Sequence, residues 1–215
     1  MTELIADIQP RASQKWRLPA AYGNGYLKRG MDMVIATISL VLFLPVLIYA
    51  AVRVKRSSPG SILYRQERIG RNGHPFYIYK FRSMIPDAEK DGPMLSSPED
   101  PRITPWGRVM RKFRIDELPQ LWNVVRGDMS LVGPRPERAF YIRQITVNYP
   151  EYVHLLDIRP GLTGWGMVRF GYAENIREMA TRMEFDLAYV RSASLQEDLR
   201  ILWHTFRIIL LGTGK

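Results

Sequence analysis

The chain has 215 residues and no cysteine, which excludes disulfides, thiolate metal sites and a cysteine nucleophile. Its formal net charge of +10 favours anionic partners such as nucleic acid, anionic lipid headgroups or phosphorylated small molecules. His74, His154 and His204 lie too far apart for metal-ligand spacing, so any metal should be a hard, oxygen-bound ion such as Mg²⁺.

Residues 1–27 form a polar lead segment interrupted by Pro10, Pro19, Gly23 and Gly25, with Trp16 placed to touch an interface. Met31 to Val52 is then almost wholly apolar, its one charge being Asp32 near the start. As a straight helix this run would measure about 33 Å, enough for a hydrocarbon core of about 30 Å. It is too long for a signal-peptide core and has no polar face for a soluble helix, so it belongs in lipid. Pro45 removes a backbone donor and predicts a break near Leu42. Basic residues flank both ends, Lys28 and Arg29 before and Arg53, Lys55 and Arg56 after. Positive charge prefers the cytoplasmic side, so a pair of helices that enters and returns would satisfy both flanks. A kinked full span is the alternative, since proline is tolerated in spanning helices. The organisation expected is a lead segment 1–27, a membrane helical segment 28–56 broken at Pro45, and a catalytic domain 57–215.

Ile62–Ile69 and Pro75–Arg82 read as strands of a hairpin around Gly70-Arg71-Asn72-Gly73. Alternation puts Phe76, Ile78, Lys80 and Arg82 on one face, with two cations at its end that could receive a phosphate. A solvated strand end is the other reading. Residues 86–103 form a long loop rich in proline and charge, of the kind that serves as a lid or is mobile. Thr104-Pro105 starts a helix carrying Arg108, Arg111 and Lys112.

That helix delivers the chain to Asp116-Glu117-Leu118-Pro119-Gln120. A second helix is predicted from Asp116 to Val125, with Leu118, Leu121, Trp122 and Val125 as its apolar stripe and Gly127 closing it. Asp116 and Glu117 would stand at its N-terminus, where backbone N–H groups favour anions. Taken alone, the pair reads as an N-cap with a first-turn charge. Arg135 lies between Pro134 and Pro136, which fix the backbone and aim one guanidinium, the side chain suited to bidentate phosphate contact. Residues 137–156 read as helix with a break near Asn148-Tyr149-Pro150, and 159–166 as a glycine-rich turn. Ala173 to Leu211 is mostly helical. Met183, Leu187 and Val190, then Leu199, Leu202, Phe206 and Ile209, are its core positions, although the apolar end could also lie in a membrane interface.

A basic domain on a lipid-embedded segment, with a carboxylate pair and aimed cations, suits a diphosphate substrate and a partner in the bilayer. Nucleic-acid binding accounts for the charge but not for the apolar run or the acid pair. No Walker loop or Rossmann fingerprint is present. A non-catalytic membrane scaffold of a polysaccharide assembly is the second reading.

Several motifs in order carry a resemblance over residues 28–211. They are Lys80-Phe81-Arg82-Ser83-Met84, Asp100-Pro101-Arg102, Asp116-Glu117-Leu118-Pro119-Gln120, Arg126-Gly127-Asp128-Met129-Ser130, Val132-Gly133-Pro134-Arg135-Pro136 and Arg159-Pro160-Gly161-Leu162-Thr163-Gly164-Trp165. The sequence resembles the bacterial sugar transferases, also called monotopic phosphoglycosyl transferases. The resemblance implies transfer of a sugar-1-phosphate from a UDP-sugar to undecaprenyl phosphate at the cytoplasmic face of the bacterial inner membrane, the first membrane step of exopolysaccharide or glycoconjugate synthesis. It implies Mg²⁺ and a covalent phosphosugar, with Asp116 as nucleophile and Glu117 assisting by metal binding or proton transfer. Both acids would be metal ligands. Arg111 and Arg135 match phosphate-binding positions, and Lys80 and Arg82 are added from the strand end. The fold implied is a small, mainly helical α/β catalytic domain with a re-entrant helix-break-helix and interfacial amphipathic helices. The chain departs from the family pattern at Leu44-Pro45, often Ser-Pro, and at Met167, often glutamine. Longer relatives add an N-terminal membrane bundle where this chain has its polar lead segment.

Overall fold

The computed structural model describes residues 21–212 apart from Asp91 and Pro98, so most of the lead segment, Trp16 and Lys215 lie outside the described residues. The apolar run forms two helices, α1 (Tyr26–Leu42) and α2 (Leu44–Ser57), meeting at 62°. Pro45 falls in the first turn of α2, where a missing N–H loses no intrahelical bond. Proline therefore starts the second helix while forbidding continuation of the first. Neither helix alone is long and apolar enough to cross a membrane, though the bent pair qualifies by length and composition. Val34, Ile38, Val41, Leu42, Leu44 and Ile48 are exposed along it.

Both ends of the pair are anchored in the same globular body. At the start of α1, Arg29 donates to the carbonyls of Val124 (2.5 Å) and Val125 (2.8 Å), which cap the end of α4 (Leu121–Arg126). At the far end, Ala50 and Val54 of α2 pack with Phe81 and Met110. Lys28 is buried too, between Asp32 (3.3 Å) and Asp198 (2.7 Å). The basic residues before the run thus serve the fold rather than lie free as a topogenic flank. Asp32 accepts from Ser130 Oγ (2.7 Å) and Leu131 N–H (3.2 Å), and Asp198 accepts from Tyr22 and Tyr189. Every charge in this buried cluster is paired and hydrogen-bonded, the condition under which such groups are tolerated.

The hairpin forms as the sequence predicts, with β1 (Leu63–Ile69) antiparallel to β2 (Pro75–Phe81) and Leu63 opposite Phe81. Asn72 (φ 57°) and Gly73 (φ 75°) take the left-handed conformation that makes Asn-Gly a turn signal. Buried Asn123 holds the hairpin on α4, donating to Tyr77 O (2.7 Å) and accepting from Tyr79 N–H (3.1 Å).

The loop after β2 folds back on itself, bridging Met84 to Ile103. Arg102 pairs with Asp100 at 2.6 Å and donates to Ala88 O at 2.9 Å, so the Asp-Pro-Arg motif staples the loop. Thr104 caps α3 (Pro105–Lys112) by accepting from Gly107 N–H (3.0 Å). The helix predicted from Asp116 is not an α-helix there. Arg114 turns left-handed (φ 54°), a 3-10 segment runs Ile115–Gln120, and α4 begins only at Leu121. Pro119 lies inside the tight turn, and Asp116 is not an N-cap. The stripe shifts accordingly: Leu121 and Val124 are buried, while Trp122 faces outward.

Two glycine-containing motifs pair as parallel strands, β3 (Ser130–Val132) with β4 (Gly161–Thr163). A Cβ on Gly161 would run into the backbone of Gly133, so this close approach requires glycine. Between the strands lie α5 (Ala139–Asn148) and a 3-10 segment from Pro150 to Asp157, broken at the predicted place. α6 (Ile176–Ser192) buries Met179, Met183, Leu187 and Val190 in the main core. α7 (Leu195–Leu211) buries only Asp198 and Ile201 fully. Leu199 and Phe206, expected in the core, are exposed beside Trp203, Leu210 and Leu211, because the helix docks through a narrower stripe at 198, 201, 202 and 205.

Candidate active site

The inner face of the hairpin, the stapled loop, α3, the 3-10 turn and the loop after β3 enclose a cavity of about 510 Å³. The 3-10 turn places Asp116 and Glu117 in its wall, both buried. They are held differently. Glu117 Oε2 accepts from Arg114 (3.3 Å), and Oε1 from Arg135 (3.1 Å) and the Tyr172 hydroxyl (3.2 Å). Asp116 Oδ1 has no hydrogen-bond partner among the described residues. An unpaired carboxylate oxygen inside a protein is costly, and such exceptions concentrate where a ligand or reaction uses them.

Burial opposes the ionisation of both acids, but their neighbours separate them. Arg135, Arg114 and Lys80 outweigh burial at Glu117 and hold it down to about 2. At Asp116 burial, reinforced by the Glu117 charge, pushes the carboxyl up to about 6. Glu117 is a fixed anion and Asp116 an acid poised near neutrality, titrating as one interacting pair.

Five of the predicted residues meet here, the two acids and three cations. Lys80 lines the cavity, and burial together with Arg68 draws its ammonium down to about 8. Arg111 is aimed by donating from Nε to Ser83 Oγ (3.0 Å) and from an end nitrogen to Ser96 Oγ (2.7 Å), both neutral acceptors. Arg135 sits between Glu117 and the Tyr172 ring, 5.0 Å from the ring centre. The proline-flanked backbone aims it, and Asp186 supports that backbone from beneath. Arg82 borders the cavity, but its guanidinium is bound to Ser58 and Ser61, tying the end of α2 to the hairpin. Strand alternation puts Arg82 on the cavity face but carries no sign of the two carbonyls that hold it.

Residues not assigned a role from sequence complete the site. Arg114 and Tyr172 hold Glu117 from two sides. Glu137, directly after the proline-flanked arginine, receives Arg68 at 2.8 Å and Arg182 at 2.6 Å. A sequence signal was available only for Arg114 and Glu137, which border the motifs of Asp116 and Arg135. Arg68 and Arg182 arrive from distant elements.

Among the described residues no group of three or more His, Cys, Asp or Glu could hold a metal. The residues nevertheless fit a Mg²⁺ that arrives with phosphate oxygens, since that ion often takes one or two carboxylates and completes its shell with phosphate and water. Asp116 has an oxygen to give. Glu117, expected as a second ligand, would first have to release a guanidinium.

The family model described as "Bacterial sugar transferase" matches residues 23–212. Among curated proteins, the chain is 42% identical over 189 residues to the UDP-N-acetylgalactosamine-undecaprenyl-phosphate N-acetylgalactosaminephosphotransferase of Aeromonas hydrophila, covering 88% of this chain and 45% of that protein. It is 43% identical over 187 residues to a UDP-glucose:undecaprenyl-phosphate glucose-1-phosphate transferase of Caulobacter vibrioides, covering 85% and 69%. It is 39% identical over 189 residues to the protein of the same name in Escherichia coli, covering 87% and 41%. The chain thus spans less than half the length of two of these three relatives.

Proposed function

Because the chain belongs to the bacterial sugar transferase family, we propose that it moves a sugar-1-phosphate from a UDP-sugar to undecaprenyl phosphate through a phosphosugar held on Asp116. The observation that carries this reading is Asp116 Oδ1, buried without a partner in a cavity walled by Lys80, Arg111 and Arg135.

Oδ1 forms a bond to the phosphorus that bears the sugar. The bond from that phosphorus to the bridging oxygen breaks, and UMP leaves with the electron pair. A phosphate oxygen of the lipid then attacks the same phosphorus, Asp116 departs as carboxylate, and a lipid diphosphosugar is released. Lys80 and Arg111 neutralise the phosphoryl oxygens as charge shifts towards UMP. Glu117, held ionised at about 2, is a poor proton acceptor. Its role is to fix Arg114 and Arg135 while keeping Asp116 from being over-stabilised by cations. Bound Mg²⁺, held by the diphosphate and Asp116, would supply further neutralisation of phosphoryl charge.

The acceptor's home places the reaction at a membrane. Both ends of the α1–α2 pair are tied to one body, which supports a re-entrant geometry returning to its side of entry rather than a span. The outward apolar residues of α7 would lie in the same interface, and the basic surface suits the cytoplasmic face. Exopolysaccharide synthesis is the setting this chemistry would serve.

Mixing the purified protein with a UDP-sugar and Mg²⁺, without acceptor, should release close to one UMP per active chain and then stop. Adding undecaprenyl phosphate should restart release. UMP that appears only with acceptor present would replace the covalent route by direct transfer.

The two perturbed groups predict a bell-shaped pH profile for kcat/KM. Activity should rise as Asp116 loses its proton near pH 6 and fall as Lys80 loses its own near pH 8. Lys80→Arg keeps the charge at all accessible pH, so the falling limb should vanish. A limb unchanged in Lys80→Arg would assign it to another group.

A further inference from the structure

We propose that the Tyr141 hydroxyl is a recognition group for the donor substrate, hydrogen-bonding a neutral oxygen in the cavity that it lines together with Glu89 and Arg138. This rests on the proposed UDP-sugar chemistry. The cavity has two chemically distinct parts. Around Asp116 stand cations suited to phosphate. Elsewhere Glu89 neutralises its surroundings, accepting from Tyr64 (2.9 Å), Gln66 (3.3 Å) and Arg138 (2.8 Å). There the positive charge is compensated and the lining includes aromatic rings, an environment for a nucleobase or a sugar rather than a phosphate.

Tyr141, at 6% exposure, lines this cavity from α5, yet its hydroxyl finds no hydrogen-bond partner among the described residues. Hydroxyls of core tyrosines normally find one, as Tyr189 does with Asp198 at 2.6 Å in this same protein. Burial raises the Tyr141 phenol above its ordinary value, so it stays a donor at working pH. The charges around it are already paired, Arg68 with Glu137 and Arg138 with Glu89, so a neutral acceptor fits, and the donor offers one on the uracil base and one on the sugar.

Tyr141→Phe removes only the oxygen. The free variant should melt at or slightly above the wild-type temperature, because it loses an unsatisfied polar group. Its stabilisation by UDP-sugar should shrink, and kcat/KM should fall about tenfold, mainly through KM. If the partner is the base, inhibition by UMP should weaken by the same factor. If it is the sugar, UMP inhibition should hold and relative rates across a panel of UDP-sugars should change. Unchanged KM, UMP inhibition and sugar preference in Tyr141→Phe would overturn the proposal. A wild-type protein with no UDP-sugar turnover at all would instead sink the transferase reading.

Discussion

Asp116→Asn should abolish the acceptor-independent release of UMP and lower steady-state turnover by at least about a thousandfold. The amide nearly preserves shape, so the folded state should survive. UDP-sugar should still bind, since Lys80, Arg111 and Arg135 remain, and binding without turnover is the signature to seek. Mass spectrometry of wild type quenched without acceptor should find a phosphosugar on the peptide holding residue 116. A variant that keeps even a tenth of normal turnover would show that this oxygen does not form the bond to phosphorus.

The second large effect is on stability. Glu137→Gln keeps the volume but strips the charge that faces both Arg68 and Arg182, with all three side chains nearly inaccessible to solvent. Leaving two guanidinium groups buried against a neutral amide should cost about 3–5 kcal/mol. For a chain of this size that is a fall in melting temperature of about 10 °C. Burial opposes ionisation of Glu137, yet Arg182 and Arg68 outweigh it and hold the carboxyl low. The stabilisation is therefore present above the ordinary carboxylate range and should fade as acid reaches the depressed folded value. Thermal unfolding in detergent, compared at pH 7 and in strong acid, tests both statements. A shift under 2 °C at pH 7 would mean that water reaches the pair.

Local chemistry made some of this protein legible from its sequence. Asn72-Gly73 made a turn because two left-handed residues are cheap there, Thr104-Pro105 began a helix, and Pro45 ended one. The acid pair, Arg111, Arg135 and Lys80 meet in one cavity because each motif contributes a wall of it. What failed did so for non-local reasons. The helix placed from Asp116 was lost to the left-handed turn at Arg114, which tightens the backbone into a 3-10 course. Arg82 was claimed by carbonyls of a linker that alternation cannot see. Lys28 and Arg29 read as surface charge until the partners Asp198 and Val124, far along the chain, turned them inward. Arg68, Arg182 and Tyr172 became neighbours of the acids only through tertiary packing.

The buried cluster of Lys28, Asp32, Ser130 and Asp198 fastens one end of the α1–α2 pair to β3 and α7, and Ala50 and Val54 fasten the other end beside Phe81 of the cavity wall. Whatever surface carries that pair, the proposed nucleophile would ride at an altitude set by packing rather than by the slack of a tether. A long greasy acceptor would then have to bring its head to the chamber, since the chamber cannot stoop to meet it.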